Sequence, residues 1–463
     1  MHRALTSADP RVLWLTDPDR PSALPALSAD TTADLVVVGG GYTGLWTALR
    51  ARERYPDLDV LLLDGGTCGW QASGRNGGFA DASLTHGYGN GVARWPDEIA
   101  ELDRLGEANL DAIEETIRRY DIDCRFERNG GLDVATEPHQ VDELRELVEA
   151  RQAAGHDVRL LDADATRALV NSPTYLAAQH DPHGTALVEP ARLAWGLRAA
   201  CYDLGVRIHE HTRVTGLEAD AAGVVATTDA GVQVRAGRVA LGTNAFTPLL
   251  RRLRLMTVPV YDYVLATEPL SPAQRDAIGW AERQGVGDAA NLFHYYRLTR
   301  DDRILWGGYD AVYRYGSSIH PEHEQSGRTH DLLAEQFFQT FPQLEGLSFT
   351  HRWAGVIDTC TRFSAFFGTA HGGRTAYALG YTGLGVAATR FGADVVLDLL
   401  HGEDTERTRL AMVREKPLPF PPEPFRSVGI NLTRWSLERA DAQAGRRNLW
   451  LRALDKAGLG FDS

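Results

Sequence analysis

Gly39, Gly41 and Gly44 stand in a G-x-G-x-x-G spacing directly after the apolar run Leu35-Val-Val-Val38 and directly before a helical pattern. Such a turn holds a pyrophosphate. The first glycine permits the tight bend, the second lets backbone amides approach the phosphates, the third lets the helix pack closely on its strand, and the helix N-terminus attracts the anion. Tyr42 and Thr43 lie inside the turn and share its contact surface. A second apolar run, Val60-Leu-Leu-Leu63, ends in Asp64, about 20 residues past the last glycine, where an acid accepts a ribose hydroxyl proton. Strand, glycines, helix, strand and acid agree on a βαβ dinucleotide-binding unit.

Two further stretches extend that chemistry. Cys68-Gly-Trp-Gln-Ala-Ser73-Gly-Arg75-Asn76-Gly77-Gly78-Phe79 is a glycine-dense loop too polar for a core element and too specific for a linker, and reads as a second cofactor contact. Thr375-Ala-Tyr-Ala-Leu-Gly380-Tyr-Thr-Gly383-Leu-Gly385 ends a strand at another glycine turn. A helix to about Leu400 follows, with Ala388, Phe391, Val395 and Leu399 on one face. Between them, Arg238-Val-Ala-Leu-Gly242 reads as a buried strand ending in a glycine.

The elements that must position these turns follow from periodicity. Ala191 to Leu204 reads as a helix, Val206 to Val214 as the next short parallel strand, and 223–234 as a hairpin. Charged amphipathic helices are expected at 97–120 and 140–154, flanking an alternating pair of short strands at 124–136. A β-rich pattern resumes at 255–350, with strands at Val258–Thr267 and Arg303–Gly308 and a helix at 328–341. The expected fold is α/β: a Rossmann-like dinucleotide domain in pieces (1–90, 151–254, 352–410) and an inserted α+β substrate domain on a mostly antiparallel sheet (91–150, 255–351). Residues 1–33 read as an arm anchored by Trp14. Residues 411–463 form a proline-rich strap and helices that either close over the first domain or pair with another subunit.

With 463 residues the chain exceeds one ordinary core. Its formal net charge of −14 argues against nucleic-acid or anionic-membrane partners, which require Lys/Arg-rich faces. The four cysteines lie far apart without CxxC spacing, so neither zinc nor a disulfide framework is indicated. The N-terminus carries acids and prolines instead of a targeting pattern, and a cytoplasmic setting is expected.

Three glycine turns of this kind exceed what a nicotinamide domain requires. The combination resembles the D-amino-acid-oxidase-like superfamily of FAD oxidoreductases over about residues 33–400. Ala72-Ser-Gly-Arg-Asn-Gly-Gly78 is similar to the A-S-G-R-N-G-G loop of its γ-glutamylputrescine oxidase branch, and Gly380-Tyr-Thr-Gly-Leu-Gly385 stands for G-Y-S-G-H-G. Thr267-Glu-Pro-Leu270 also matches. The resemblance implies a glutathione-reductase-like FAD domain in which Gly39, Gly41 and Gly44 hold the pyrophosphate, Asp64 the ribose and Val214 the adenine. By the same resemblance Ser73, Arg75 and Asn76 contact pyrophosphate and ribityl, and Gly77 and Gly78 lie against the isoalloxazine. Gly383, Leu384 and Gly385 aim the last helix at the flavin N1/C2 carbonyl. Arg75 replaces the linking His of covalent members, and Cys360 falls several residues from the linking Cys of others, so FAD is expected to be non-covalent.

The implied reaction is oxidation of a primary or secondary amine, by hydride transfer to flavin N5, imine hydrolysis and reoxidation by O2 to H2O2. Glycine-oxidase-like members grip a substrate carboxylate with arginines where this chain has Ile357 and Gly383, which disfavours an α-amino acid. The pocket candidates are Tyr261, Tyr263, Trp353, Arg362 and Tyr381. Tyr261 and Tyr263 share one strand face and either bind an amine or pack the sheet. Arg362 either binds a distant anionic group or pairs with Asp358. Trp353 and Tyr381 wall the pocket or fill the core. The single histidines His86, His294 and His371 lack partners at ligand spacing, and no metal site is expected. The rival readings are an N-demethylating oxidase of the sarcosine type and a non-catalytic flavoprotein.

Overall fold

The computed structural model describes residues 1–460. Its first sheet is built from the near-continuous apolar runs. Thr375–Leu379, Gln233–Leu241, Thr31–Val38, Val60–Leu63 and Arg207–His209 lie side by side and parallel, in that order. Parallel strands are covered on both faces and so need apolar side chains at consecutive positions; Val36, Val37, Leu61 and Leu62 have no exposed surface. Helices Tyr42–Arg54, Pro190–Asp203 and Gly385–His401 share one core with Leu35, Val37 and Leu62. The opposite face, Val36, Val38 and Leu61, packs with the hairpin strands Val214–Ala219 and Val224–Thr228. This is the expected α/β dinucleotide domain, with helices on one side and a β-meander on the other.

The second sheet has nine strands. It is antiparallel except where Gly131–Ala135 runs parallel to Gly285–Asp288. Its outer face packs Tyr261, Tyr263, Trp306 and Phe349 with Leu333 and Phe337 of helix Gly327–Thr340.

The domain limits read from spacing shift in three places. Strands Arg159–Asp162 and Ala177–Asp181, expected within 151–254 of the first domain, pair in the second sheet. So does Phe349–Thr359, which crosses the expected limit at 352. Helix Ile99–Arg119, expected with the substrate domain, places Leu110 and Ile113 in the first core. The pair of strands expected at 124–136 is one strand, Gly131–Ala135, whose neighbours come from 177–181 and 285–288. Alternation identifies a strand; only long-range pairing decides which sheet receives it.

The N-terminal arm spans both sheets. Leu5 is buried in the second core, the amide of Leu24 donates to Glu210 of the first domain, and Trp14 is 5% exposed. The C-terminal strap and helices Phe425–Asp441 and Leu449–Lys456 fold back on their own chain: Asp441 accepts from the amides of Asn291 and Leu292, and Arg434 pairs with Asp310. The expected segment 411–463 runs to three residues outside those described. Among the described residues no helix is long and apolar enough to cross a membrane.

Candidate active site

A continuous cavity of about 2160 Å³ runs between the two sheets. That is well above the usual range for a small ligand alone, and leaves room for a dinucleotide together with a substrate. At one end it is lined by Gly39, Gly41, Asp64, Val214 and Gly242. Here the helix Tyr42–Arg54 approaches so closely that a Cβ on Gly44 would lie 1.8 Å from the carbonyl oxygen of Gly39. The helix has no side-chain cap at Gly41; Ser73 Oγ takes the Tyr42 amide, and the amides that follow in the first turn are left to an anion. Asp64 accepts from the amides of Gly40 at 2.6 Å and Gly66 at 2.7 Å, and burial holds its carboxyl above the usual range. It braces the turn as well as facing the cavity.

The loop 72–78 forms the middle of the wall. Its polar side chains largely hold the loop itself. Ser73 Oγ accepts from the Tyr42 amide at 2.9 Å, and Asn76 bonds the carbonyl of Ala72 and the amide of Gly78. Arg75 lines the cavity, and its guanidinium meets Glu324 at 2.6 Å and the carbonyls of Trp70 and Ala354. From behind, Trp353 Nε1 donates to the carbonyl of Arg75 at 2.8 Å, Trp14 Nε1 to that of Asn76 at 2.9 Å, and buried Arg297 to that of Val188, which receives the Gly78 segment. Trp353 is therefore a prop beneath the loop and not a pocket wall. Trp353→Phe leaves the carbonyl of Arg75 unpaired, at about 1–3 kcal/mol. The expected result is about tenfold weaker flavin retention with unchanged secondary structure, read by flavin release in urea and by circular dichroism.

The third turn carries strain. Thr382, a β-branched residue, sits at φ 51° between Tyr381 and Gly383, a conformation that persists where the surroundings over-determine it. Its hydroxyl bonds the carbonyl of Gly380 and the amide of Cys360. Helix Gly385–His401 then starts behind Leu384 without a side-chain cap, and Leu384, Gly385 and Val386 line the cavity. Beneath the turn Asp358 accepts from the Gly380 amide at 2.5 Å, and burial pushes its carboxyl up to about 7.

Of the other substrate candidates, Tyr261 and Tyr381 line the cavity and Arg362 and Tyr263 do not. Arg362 is 5% exposed and caps the carbonyls of Ser364, Ala365, Met412 and Glu415 over the Trp95 ring, so it binds no anionic group and does not pair with Asp358. Tyr381 is wedged against Gly392 of the last helix. Tyr261 and Tyr263 lie on the outer face, bonded to the backbone of His320 and His323; Tyr261 reaches the cavity at its edge. Of the two readings open for this strand face, amine binding or sheet packing, both tyrosines take the packing one. Because side chains alternate, the residue between the two tyrosines faces inward. That residue is Asp262, which accepts a hydrogen bond from the Tyr295 hydroxyl. A lone acid inside the run Val258-Pro-Val-Tyr-Asp-Tyr-Val-Leu-Ala was the available signal.

The far end of the cavity is acidic. Asp81 and Asp133 bond only neutral partners, Thr185 and Gln179, and desolvation pushes Asp81 up to about 6. The arginines nearby are already paired, Arg151 with Asp181 and Arg128 with Asp111.

A dinucleotide sheet, three glycine turns along one cavity and a second sheet closing it define a flavin-dependent oxidoreductase. The chain belongs to the DAO family of FAD-dependent oxidoreductases, whose model matches residues 34–399. It is 33% identical to the gamma-glutamylputrescine oxidoreductase of Escherichia coli (strain K12) over 409 residues, covering 85% of this chain and 89% of that protein. It is 21% identical to the sarcosine oxidase subunit beta of Rhodobacter capsulatus over 338 residues, 70% of this chain and 74% of that one. Among solved structures, glycine oxidase from Geobacillus kaustophilus superimposes with a TM-score of 0.69 at 21% identity, covering 81% of this chain and 96% of that one. The cofactor is FAD, and the cavity between the Gly39 turn and the Gly383 turn fits it.

Proposed function

We propose that this protein oxidises a primary or secondary amine that enters as a cation. The observation that carries this reading is the charge of the cavity. Asp81 and Asp133 lack cationic partners, while Arg75, Arg128 and Arg151 are tied to acids and Arg362 lies elsewhere. An ammonium relieves that imbalance. The similarity to a gamma-glutamylputrescine oxidoreductase supports an amine of some length over a small amino acid.

FAD supplies a hydride acceptor at N5 and, in this reading, a route to O2 that yields H2O2. The protein's part is to orient the amine, exclude water and manage the proton. In this reading the Thr382–Gly385 turn, which lines the cavity, would turn the N-terminus of its helix toward the pyrimidine end of a bound flavin and favour negative charge there. The imine product leaves and is hydrolysed by water.

The test is the visible spectrum of the purified protein before and after acid precipitation, followed by an aerobic amine panel read as peroxide. Yellow supernatant is expected, because Arg75 stands in the loop and the Cys360 thiol is buried against the carbonyls of Ser364 and Gly380. Peroxide with amines and none with α-amino acids supports the reading. Formaldehyde from N-methyl amines identifies the sarcosine-type reaction instead. A protein that neither carries nor takes up flavin overturns both.

A further inference from the structure

The cavity face of the second sheet carries a row of residues whose partners across the strands are glycines. Asp262 stands opposite Gly355, Tyr295 stands opposite Gly307 on one side and Gly287 on the other, and Asp133 stands opposite Gly287. The missing side chains give Tyr295 its path. A Cβ on Gly307 would lie 2.5 Å from the Tyr295 hydroxyl, and one on Gly77 would lie 2.5 Å from its ring. The ring is held between the neighbouring strand and the Gly77–Gly78 backbone, edge-on to Phe79 at 5.7 Å. Its hydroxyl, bonded to Asp262, therefore lies beside the loop that receives the flavin.

We propose that Tyr295 and Asp262 form a proton relay that accepts the proton a substrate ammonium must lose before its C–H bond can give up a hydride. The inference rests on the amine-oxidation reading above. The substrate N–H bond breaks to the Tyr295 oxygen while the Tyr295 O–H bond breaks to an Asp262 carboxylate oxygen. One proton leaves nitrogen, one arrives on Asp262, Tyr295 is unchanged, and the amine is left neutral with its lone pair free.

The surroundings suit both partners. Burial and the neighbouring carboxylate keep the Tyr295 hydroxyl protonated far above its ordinary range, so it acts as a conduit and not as a stored anion. Burial pushes Asp262 up to about 6, against the Tyr295 and Gly308 hydrogen bonds that lower it, so near neutral pH it is ionised and basic enough to serve. The charged groups on the elements around it are engaged elsewhere: Arg75 with Glu324 on the loop side, Asp310 with Arg434 beyond Gly308, and His294 with Asp288 beside Tyr295. Tyr261 and Tyr263, its chain neighbours, point to the outer face.

The experiment compares the holoenzyme with Asp262→Asn, Asp262→Glu and Tyr295→Phe at equal flavin content. Anaerobic bleaching of the flavin by the best amine of the panel is followed from pH 6 to pH 10. At pH 7.5 the expected loss is about 100-fold or more for Asp262→Asn and about tenfold for Tyr295→Phe, with partial rescue in Asp262→Glu. The deficit should shrink toward pH 10, where solvent delivers the neutral amine. A second readout needs no substrate: the visible spectrum of the resting holoenzyme should titrate with a midpoint near 6, and this transition should vanish in Asp262→Asn. A deficit of the same size at every pH, or an unchanged spectral titration in Asp262→Asn, overturns the relay. If no amine bleaches the wild-type flavin, the amine reading itself fails, and the two failures are distinct.

Discussion

Gly44→Val is expected to give a colourless protein. The obstacle to any side chain at this position is backbone: the added Cβ would lie 1.8 Å from the Gly39 carbonyl oxygen and 3.2 Å from a Val37 methyl. The carbonyl, being backbone, cannot rotate away. Overpacking a core position usually costs about 1–3 kcal/mol because flexible neighbours yield, but here the helix Tyr42–Arg54 must itself retreat from the strand. Its uncapped N-terminal amides then no longer meet the pyrophosphate. Two charge-assisted hydrogen bonds at about 1.5–3 kcal/mol each put the loss of FAD affinity at about a hundredfold or more. The ratio of flavin to protein absorbance after purification and the Kd from flavin-fluorescence quenching report it, with circular dichroism to show that the chain has folded. Full flavin retention would mean that the pyrophosphate is held elsewhere. Gly44→Ala places the same Cβ and is the milder test.

Asp358→Asn is expected to raise stability at pH 8 and leave it unchanged at pH 4. The Asp358 carboxyl is enclosed beneath the third turn with the Gly380 amide as its close donor, and burial holds it at about 7. An unfolded chain releases this proton near 4. Between about pH 4 and 7 the folded state therefore binds a proton that the unfolded state does not. Stability attributable to this group is full below 4, declines as pH rises to about 7 and is flat above. A difference of about three pKa units corresponds to about 4 kcal/mol, and about 2–4 kcal/mol is a reasonable expectation for one buried carboxyl. Asparagine keeps the acceptor for Gly380 and removes the titration. Thermal unfolding of both holoproteins at intervals from pH 4 to pH 9 should show the Asn variant gaining up to pH 7, then holding a constant lead of several degrees. A pH-independent difference would show that Asp358 is ionised in the folded protein.

The two substitutions probe opposite requirements of one cradle. Gly44 is fixed by space: the pyrophosphate turn works because nothing separates helix from strand. Asp358 is fixed by charge: kept neutral at moderate pH, it ties the strained turn at Thr382 to its strand without placing a carboxylate under the N-terminus of helix Gly385–His401.

The glycine turns that line the cavity were legible in the sequence because each is local. A pyrophosphate turn needs glycines at fixed spacing within one strand–turn–helix unit, so Gly39, Gly41, Gly44 and Asp64 declare themselves over about 25 residues. The apolar runs at 35–38 and 60–63 announce parallel strands for an equally local reason, since both faces are covered. The glycine turn at 380–385 was readable in the same way.

The substrate half was not legible, because each of its residues acts through partners far along the chain. Tyr261 and Tyr263 were visible as a strand face, but which face meets the cofactor depends on where helix Gly327–Thr340 docks, and that docking turned Asp262 inward. Tyr295 reaches Asp262 only because Gly307 of a neighbouring strand has no side chain, a pairing no window of sequence contains. Trp353 and Arg362 have the residue types of a pocket, and tertiary packing made one a donor to the loop carbonyl of Arg75 and the other a cap for a carbonyl cluster. The sequence by itself determined the FAD fold and its phosphate turns, where geometry is set by neighbours in the chain. The tertiary structure alone decided the acidic cavity and the Tyr295–Asp262 pair, because burial and cross-strand contact are properties of residues brought together by folding.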